Sequence, residues 1–344
     1  MPRLGAPRGA IDARAVFAPL ADYPRLALAV SGGADSLALM LLAHRFAQEA
    51  GHGHDRFFVY SVDHGLRPEA AAEAEFVVRE ARRLGFAARI LRWDDEKPET
   101  GIQQAARLAR YRLFAAAMAA DGAAALLTAH HLGDQAETVL MRLAHGSGVE
   151  GLRGMDYCSE IEGLTIVRPL LGVDPEELRC VVEMAGLTPV VDPSNSDADY
   201  ERVRWRQVMP QLAALGLDAR RLASFADRMR DADRALLNMA AQAFAHVELA
   251  PDRSEAAIDR SLLRHLPRAI AVRVVARTLV TVGGSRKPHA LAAVEALTDR
   301  LIREPVRTTL HGCIVRSGRA SVRISREPER GEAARRRKKE PSLS

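Results

Sequence analysis

Apolar residues recur along the first half of this 344-residue chain in two alternating rhythms. Short unbroken runs at 26–30, 56–62, 86–91 and 124–128 have the length and composition of buried strands. Between them lie longer stretches, 37–50, 69–84, 102–120 and 134–144, whose apolar positions return every three or four residues. On 69–84, for example, Ala70, Ala74, Val77, Ala81 and Leu84 share one helical face. Strands alternating with helices predict the α/β class: a doubly wound parallel sheet covered on both faces, whose ligands bind beyond the carboxyl ends of its strands. Chemistry is therefore expected in the polar stretches 31–36, 63–67 and 130–137.

Past Gly151 the rhythm weakens. Residues 166–170 read as a short strand, Asp174 and Pro175 open a helix to about 185 with proline at its first position, and 188–191 is extended. From 212 the pattern is mostly helical, over 219–247, 266–279 and 290–301, and ends in a β-like stretch, 308–324, that turns at Ser317-Gly318. Four segments are predicted: an N-terminal extension 1–23, a nucleotide-binding α/β domain 24–212, a mainly helical domain with a terminal hairpin 213–326, and a basic tail 327–344. The tail's Arg335 to Lys339 run is expected to be a solvated, disordered end.

The first polar stretch reads Ser31-Gly32-Gly33-Ala34-Asp35-Ser36 between a strand and a helix. Two glycines let the backbone take φ > 0 and approach a ligand, and the N–H groups opening the helix have no internal partner. They and the helix dipole favour an anion. Ser31 and Ser36 add hydroxyl donors. Asp35, an acid among phosphates, implies an intervening cation such as Mg²⁺ and hence a metal–nucleotide substrate. No Gly-Lys-Ser/Thr follows, so this is not a Walker A loop.

After the second strand come Asp63 and His64, and after the fourth His130-His131-Leu132-Gly133-Asp134-Gln135-Ala136-Glu137. Adjacent histidines lack the spacing of a helical zinc pair. Asp134 suits a helix cap with Glu137 completing a capping box, and either acid can face the nucleotide across from Asp35, holding a metal or an ammonium group. Gly146-Ser147-Gly148-Val149-Glu150-Gly151 matches a dinucleotide pattern but follows a helix, which excludes hydride transfer. Arg107 and Arg110 share a helical face, suited either to clamping a phosphate or carboxylate or to plain solvation. Arg202, Arg204 and Arg206, with Tyr200 and Trp205 nearby, suit nucleic-acid contact.

A net charge of +5 permits a polyanionic partner without demanding one. Cys158, Cys180 and Cys313 form no Cys-x-x-Cys pair, which argues for a reduced, cytoplasmic protein without disulfides or a zinc ribbon. No run approaches the ~20 apolar residues of a membrane span, so no membrane partner is expected. A homodimer is left open.

The loop resembles the PP-loop of the N-type ATP pyrophosphatases, a likeness that implies cleavage of ATP to AMP and pyrophosphate. In combination with Val62 to Arg67, Ala106-Arg107 with Arg110-Tyr111, Ala129 to Thr138, Gly146 to Leu152, Arg168-Pro169-Leu170, Asp192 to Asn195, Tyr200 and Arg202, the chain resembles the tRNA(Ile)-lysidine synthetase family over about 24–325. That resemblance implies adenylation of C2 of the wobble cytidine of a CAU-anticodon isoleucine tRNA, then attack by free L-lysine. It implies ATP at 31–36, Asp63 and His64, catalysis by Asp35, Asp134 and Glu137, and Mg²⁺ at Asp35 and Asp134. The lysine or a phosphate is implied at Arg107, Arg110, His130 and His131, and tRNA at Arg202, Arg204 and Arg206 and on the mainly helical domain 213–326. Gly133 departs from the many relatives with an acid there, and Val203 from those with asparagine. Competing readings are a PP-loop tRNA thiolase, which usually needs cysteines near the nucleotide, and a non-catalytic RNA-binding protein.

Overall fold

The computed structural model describes residues 11–49, 53–192, 197, 199–284 and 291–327. Contacts divide the chain into two compact units, Met1–Arg230 and Asp231–Ser344. The stretch Pro193 to Asn195 and the basic tail lie outside the described residues.

The first unit runs α1 (Ala13–Phe17), β1 (Leu26–Ala29), α2 (Ala34–Glu49), β2 (Phe57–Asp63), α3 (Ala70–Arg83), β3 (Ala87–Arg92), α4 (Ile102–Asp121), β4 (Ala125–Leu127), α5 (Leu132–Ala144), α6 (Val149–Leu152), β5 (Cys158–Ile161), β6 (Leu164–Val167), α7 (Pro175–Met184) and α8 (Glu201–Ala214). Its sheet has the order β3-β2-β1-β4-β6-β5, parallel except for β5 on β6. The expected doubly wound sheet is therefore present, with an antiparallel edge hairpin that its short, polar strand sequence did not announce.

Alternation along the strands sends side chains to two cores. Leu26, Leu28, Phe57, Val59 and Leu127 pack with α1, α2, α3 and α7, whereas Ala27, Tyr60, Leu126 and Ile166 pack with Tyr111, Phe114 and Met118 of α4. Because α4 crosses from β3 to β4 on the opposite face, strand order reverses between β1 and β4. A crevice opens there beyond their carboxyl ends, flanked by residues 30–36 and 128–134. Residues 188–191, expected to be extended, join no sheet.

The arginines at 202, 204 and 206 fall on a helix, α8. Helical period puts Arg202 and Arg206 on one side and Arg204 on another, so the three cannot meet one partner as a row. A small core joins Ala136, Val139 and Leu140 of α5 to Trp205, Met209 and Leu212 of α8 and to Leu222 and Ala226.

The chain continues through α9 (Ala219–Phe244), within which the two units divide, to β7 (Glu248–Leu249), β8 (Glu255–Asp259), α10 (Arg260–His265), α11 (Arg268–Gly283), α12 (Leu291–Arg303), β9 (Arg307–Leu310), β10 (Cys313–Ser317) and β11 (Ser321–Arg326). The second unit is mainly helical as expected, but its terminal hairpin belongs to a larger sheet: these five strands form one antiparallel sheet, ordered β7-β8-β11-β10-β9. Ala256, Ile258, Val315, Val322 and Ile324 cover one of its faces with α11 and α12. Among the described residues no helix is long and apolar enough to cross a membrane.

Candidate active site

The turn after β1 is held in shape by its own serines. Ser36 Oγ donates to the Gly33 carbonyl at 2.9 Å and accepts the Ser31 N–H at 3.1 Å. The first bond into α2 is Leu37 N–H to Gly33 O, so the N–H groups of Ala34, Asp35 and Ser36 have no intrahelical acceptor. Gly32 has φ +92°, and a Cβ there would lie 2.9 Å from Val190 Cγ2. Val190 in turn donates its N–H to Gly32 O at 2.9 Å. Glycine is required at 32 on both counts.

Across the crevice the N-cap of α5 is His131, not Asp134. His131 Nδ1 accepts the N–H of Gly133 at 3.0 Å, and Asp134 Oδ2 returns to the His131 N–H at 3.0 Å. Asp134 is thus the third residue of the box, and Glu137 is released from the capping role expected of it. Gly133 makes room: a Cβ there would come within 2.9 Å of His131 Cε1. The other ring nitrogen, Nε2, lies 3.5 Å from both Asp35 Oδ2 and Asp134 Oδ2, which brings the two aspartates to one imidazole. Burial disfavours the His131 imidazolium, but the carboxylates of Asp35, Asp134 and Glu137 outweigh it and raise the pKa. His130 behaves oppositely. Burial first, then Arg168, Arg202 and His131, push it down to about 4 against the opposing pull of Asp134, and its Nδ1 shares a 2.9 Å bond with Thr128 Oγ1.

Glu137 is 3% exposed and doubly paired. Arg206 Nε donates to its Oε1 at 2.8 Å and Arg206 Nη2 to its Oε2 at 3.3 Å, while Arg202 Nε lies 3.3 Å from Oε2. Arg206 also reaches to 4.0 Å of Asp134 Oδ1. The two arginine side chains keep nearly half their surface in solvent, 42% and 46%. Arg204 turns away and donates to Asp199 O at 2.9 Å.

The other wall is cationic. The Arg107 and Arg110 guanidinium carbons sit 5.3 and 6.0 Å from the centre of the Tyr111 ring, and neither has a carboxylate ion pair among the described residues. Burial lowers the pKa of Arg110 and, with the Arg110 charge beside it, that of His64. His64 Nδ1 is buried without a hydrogen bond. Asp63 shapes this corner by accepting the Gly65 N–H at 2.9 Å. Arg168, 5% exposed at the end of β6, donates to Asp156 O and Ser159 Oγ and leaves its Nε unbonded. It was not singled out as a site residue from the sequence, although a lone charge closing the apolar run Ile166-Val167 is a visible signal. Arg168 is a buried cation with one unused donor, near Arg107, and Arg107 and Arg110 have no carboxylate ion pair among the described residues; groups of this kind can receive an anion.

Asp35 and Asp134 are hard oxygen donors, and no group of three or more potential metal ligands occurs among the described residues. Such a donor set fits Mg²⁺, which takes one or two carboxylates together with substrate phosphates rather than a protein cage. The cysteines are dispersed: Cys158 is exposed on β5, Cys180 lies in α7, and Cys313 is buried in β10.

The PP-loop domain family matches residues 10–212. Over 345 aligned positions the chain is 42% identical to a tRNA(Ile)-lysidine synthase of Bradyrhizobium, covering 94% of this chain and 96% of that protein. It is 46% identical to another from Methylobacterium nodulans, covering 88% and 90%. A U34-tRNA thiolase of Methanococcus maripaludis, solved with its [4Fe-4S] cluster, superposes with a TM-score of 0.53 at 16% identity, over 63% of this chain and 77% of that one, and shares the fold alone. With its ATP-binding PP-loop domain and full-length similarity to these ligases, the chain belongs to the tRNA(Ile)-lysidine synthase family.

Proposed function

We propose that the chain forms lysidine on the wobble cytidine of the CAU-anticodon isoleucine tRNA, in the cytoplasm, from ATP and free L-lysine. The observation that carries this reading is the meeting, at one strand-order reversal, of an open helix N-terminus with a cluster of two aspartates on one imidazole. In the first step the cytidine C2 oxygen attacks the α phosphorus of ATP, the Pα–O bond to the β phosphate breaks, and pyrophosphate leaves. In the second, the lysine ε-amine attacks C2, AMP departs with the oxygen, and the amine gives up its proton.

The N–H groups of 33–36 and the Ser31 hydroxyl take the terminal phosphates, Ser36 contributing its N–H while its own hydroxyl holds the Gly33 carbonyl, with Asp63 and His64 bordering the nucleotide. Asp35 and Asp134 would hold Mg²⁺, which when bound offsets charge on the departing pyrophosphate. His131 Nε2 orients both carboxylates. Free lysine has an ε-ammonium of pKa about 10.4 and must be deprotonated to attack. Asp134 anchors that ammonium once pyrophosphate has left, with His130, neutral at pH 7, beside it. Arg107 and Arg110 receive the amino-acid carboxylate. Glu137 contributes by aiming Arg202 and Arg206, which, with Arg204 on the other side of α8, meet the tRNA backbone.

Incubation with ATP, labelled lysine and total tRNA, followed by nucleoside analysis, tests the proposal. Labelled lysidine with AMP and pyrophosphate is expected. Release of ADP, or turnover that needs a sulfur donor and leaves lysine unincorporated, overturns it.

A further inference from the structure

Two charged residues have no role in the chemistry above: Arg67, which closes the polar stretch after β2, and Asp192, two residues past Val190. The fold brings them together. Arg67 Nη2 donates to Glu73 Oε2 of α3 at 3.0 Å and lies 3.4 Å from Asp192 Oδ2, so one guanidinium ties α3 to the end of the segment 188–192. Both tethered elements are also walls of the niche that holds Gly32. A Cβ at Gly32 would lie 2.9 Å from Val190 Cγ2 and 3.4 Å from Val77 Cγ2. Val77 stands four residues beyond Glu73 on α3, hence on the same side of that helix. Asp192 stands two residues beyond Val190, the spacing at which side chains of a straight chain share a side. Arg67 therefore grips each wall beside the valine that touches the turn.

The niche fixes the plane of one peptide. Val190 N–H donates to Gly32 O at 2.9 Å. In a trans peptide the carbonyl and the following N–H point in opposite directions, so this bond turns the Gly33 N–H away from Val190. That N–H has no hydrogen-bond partner among the described residues, and it is the first of the donors assigned above to the phosphates. Residues 188–191 make a single backbone hydrogen bond among the described residues, this one, so the link at Asp192 is a substantial part of what keeps them on the turn. Arg67 and Asp192 leave 33% and 41% of their side-chain surface in solvent, and ion pairs so exposed contribute little to global stability. What this pair controls is local.

We infer that Arg67 is a positioning residue for the phosphate cradle: by bridging Glu73 and Asp192 it closes Val77 and Val190 on Gly32 and keeps the Gly33 N–H turned to the ATP phosphates. The inference rests on the reading of 31–36 as the ATP site. Without Arg67, the carboxylates of Glu73 and Asp192 would repel each other and push 188–192 away from α3.

The test measures binding of MgATP and of AMP by calorimetry, without tRNA or lysine, to the full-length wild type, R67A, R67K, D192A and R67A/D192A, each of which is also melted. ATP is expected to bind R67A about fivefold and D192A about threefold more weakly than wild type. AMP should bind all of them equally, because it lacks the phosphates that the cradle takes. R67K should keep most of the ATP affinity, since an ammonium can still sit between two carboxylates. The double variant should bind ATP no more weakly than R67A alone, as removing Asp192 also removes the repulsion. Melting temperatures should stay within about 2 °C of wild type. Unchanged ATP affinity in R67A, an equal loss for AMP, losses that add in the double variant, or a fall in melting temperature large enough to account for the lost affinity overturns the inference. Should R67A misfold, Asp192→Asn takes its place, with the same ATP and AMP readout. Absence of ATP binding in the wild type would instead overturn the reading of 31–36 as the ATP site.

Discussion

Two helices bring their N-termini to the same crevice, α2 from behind β1 and α5 from behind β4, and they treat the same set of backbone donors in opposite ways. At α2, Ser36 bonds back into the turn and the N–H groups that open the helix stay available. At α5, His131 takes the Gly133 and Asp134 N–H groups and Asp134 takes that of His131, so the donors are used and carboxylates face the crevice. Both helices have the same dipole. The side chains of one turn decide whether a helix end receives anions or displays them.

If this contrast is correct, Asp35→Ala should have the largest effect, because Asp35 is the acid the open end contributes. Pyrophosphate release should fall on the order of 10²-fold or more, with tRNA affinity nearly intact by filter binding. Near-wild-type turnover would remove Asp35 from the chemistry. Gly32→Ala attacks the open end itself. A side chain at φ +92°, pressed on Val190, should destabilise the fold by about 1–3 kcal/mol and raise the KM for ATP. Adding Val190→Ala should restore part of the stability by relieving the overlap, but not the backbone strain; full restoration would show that φ is unimportant there.

At the closed end, Glu137→Gln leaves two guanidinium groups facing a neutral amide. A loss of about 2 kcal/mol in urea unfolding is expected, below the ~3–5 of a fully buried pair because both arginines are half-exposed. No loss would mean that the arginines are held by other interactions. The smallest effect sharpens the contrast within the pair of histidines. His130, pushed down to about 4 from an ordinary 6.5, stays unprotonated in the fold while the unfolded chain takes up a proton. Its contribution is therefore present above pH 6.5 and lost as pH falls towards 4, by no more than about 1.4 kcal/mol per pH unit. His131, raised by its carboxylates, has the opposite sign: its contribution is complete below 6.5 and is lost as pH rises through its higher folded value. Denaturant midpoints measured between pH 4 and 6.5 should be flatter in His130→Gln than in the wild type.

What the sequence disclosed follows how local the physics is. The 31–36 turn was legible because glycine φ, serine hydroxyls and helix-opening N–H groups all act within six residues. The sheet was legible because buried parallel strands must be apolar throughout. The Glu137 clamp was not, since its partner Arg206 stands 69 positions away and nothing local marks the pairing. The cap at His131 was obscured because an imidazole is an unusual acceptor at a helix start and Asp134 is an ordinary one. The helix α8 was not legible because its burial on α5 comes from Trp205, Met209 and Leu212, with polar residues between them in the sequence. Strands β5, β7 and β8 are short and half polar, so tertiary pairing rather than composition creates them.

One last consequence belongs to Gly133, a residue with no side chain to contribute. A β-carbon there would press on the His131 ring at 2.9 Å, so this glycine helps keep the imidazole seated between Asp35 and Asp134. The proton inventory of the crevice, how many exchangeable protons it stores and at what acidity, is thereby governed from a position that never touches a proton.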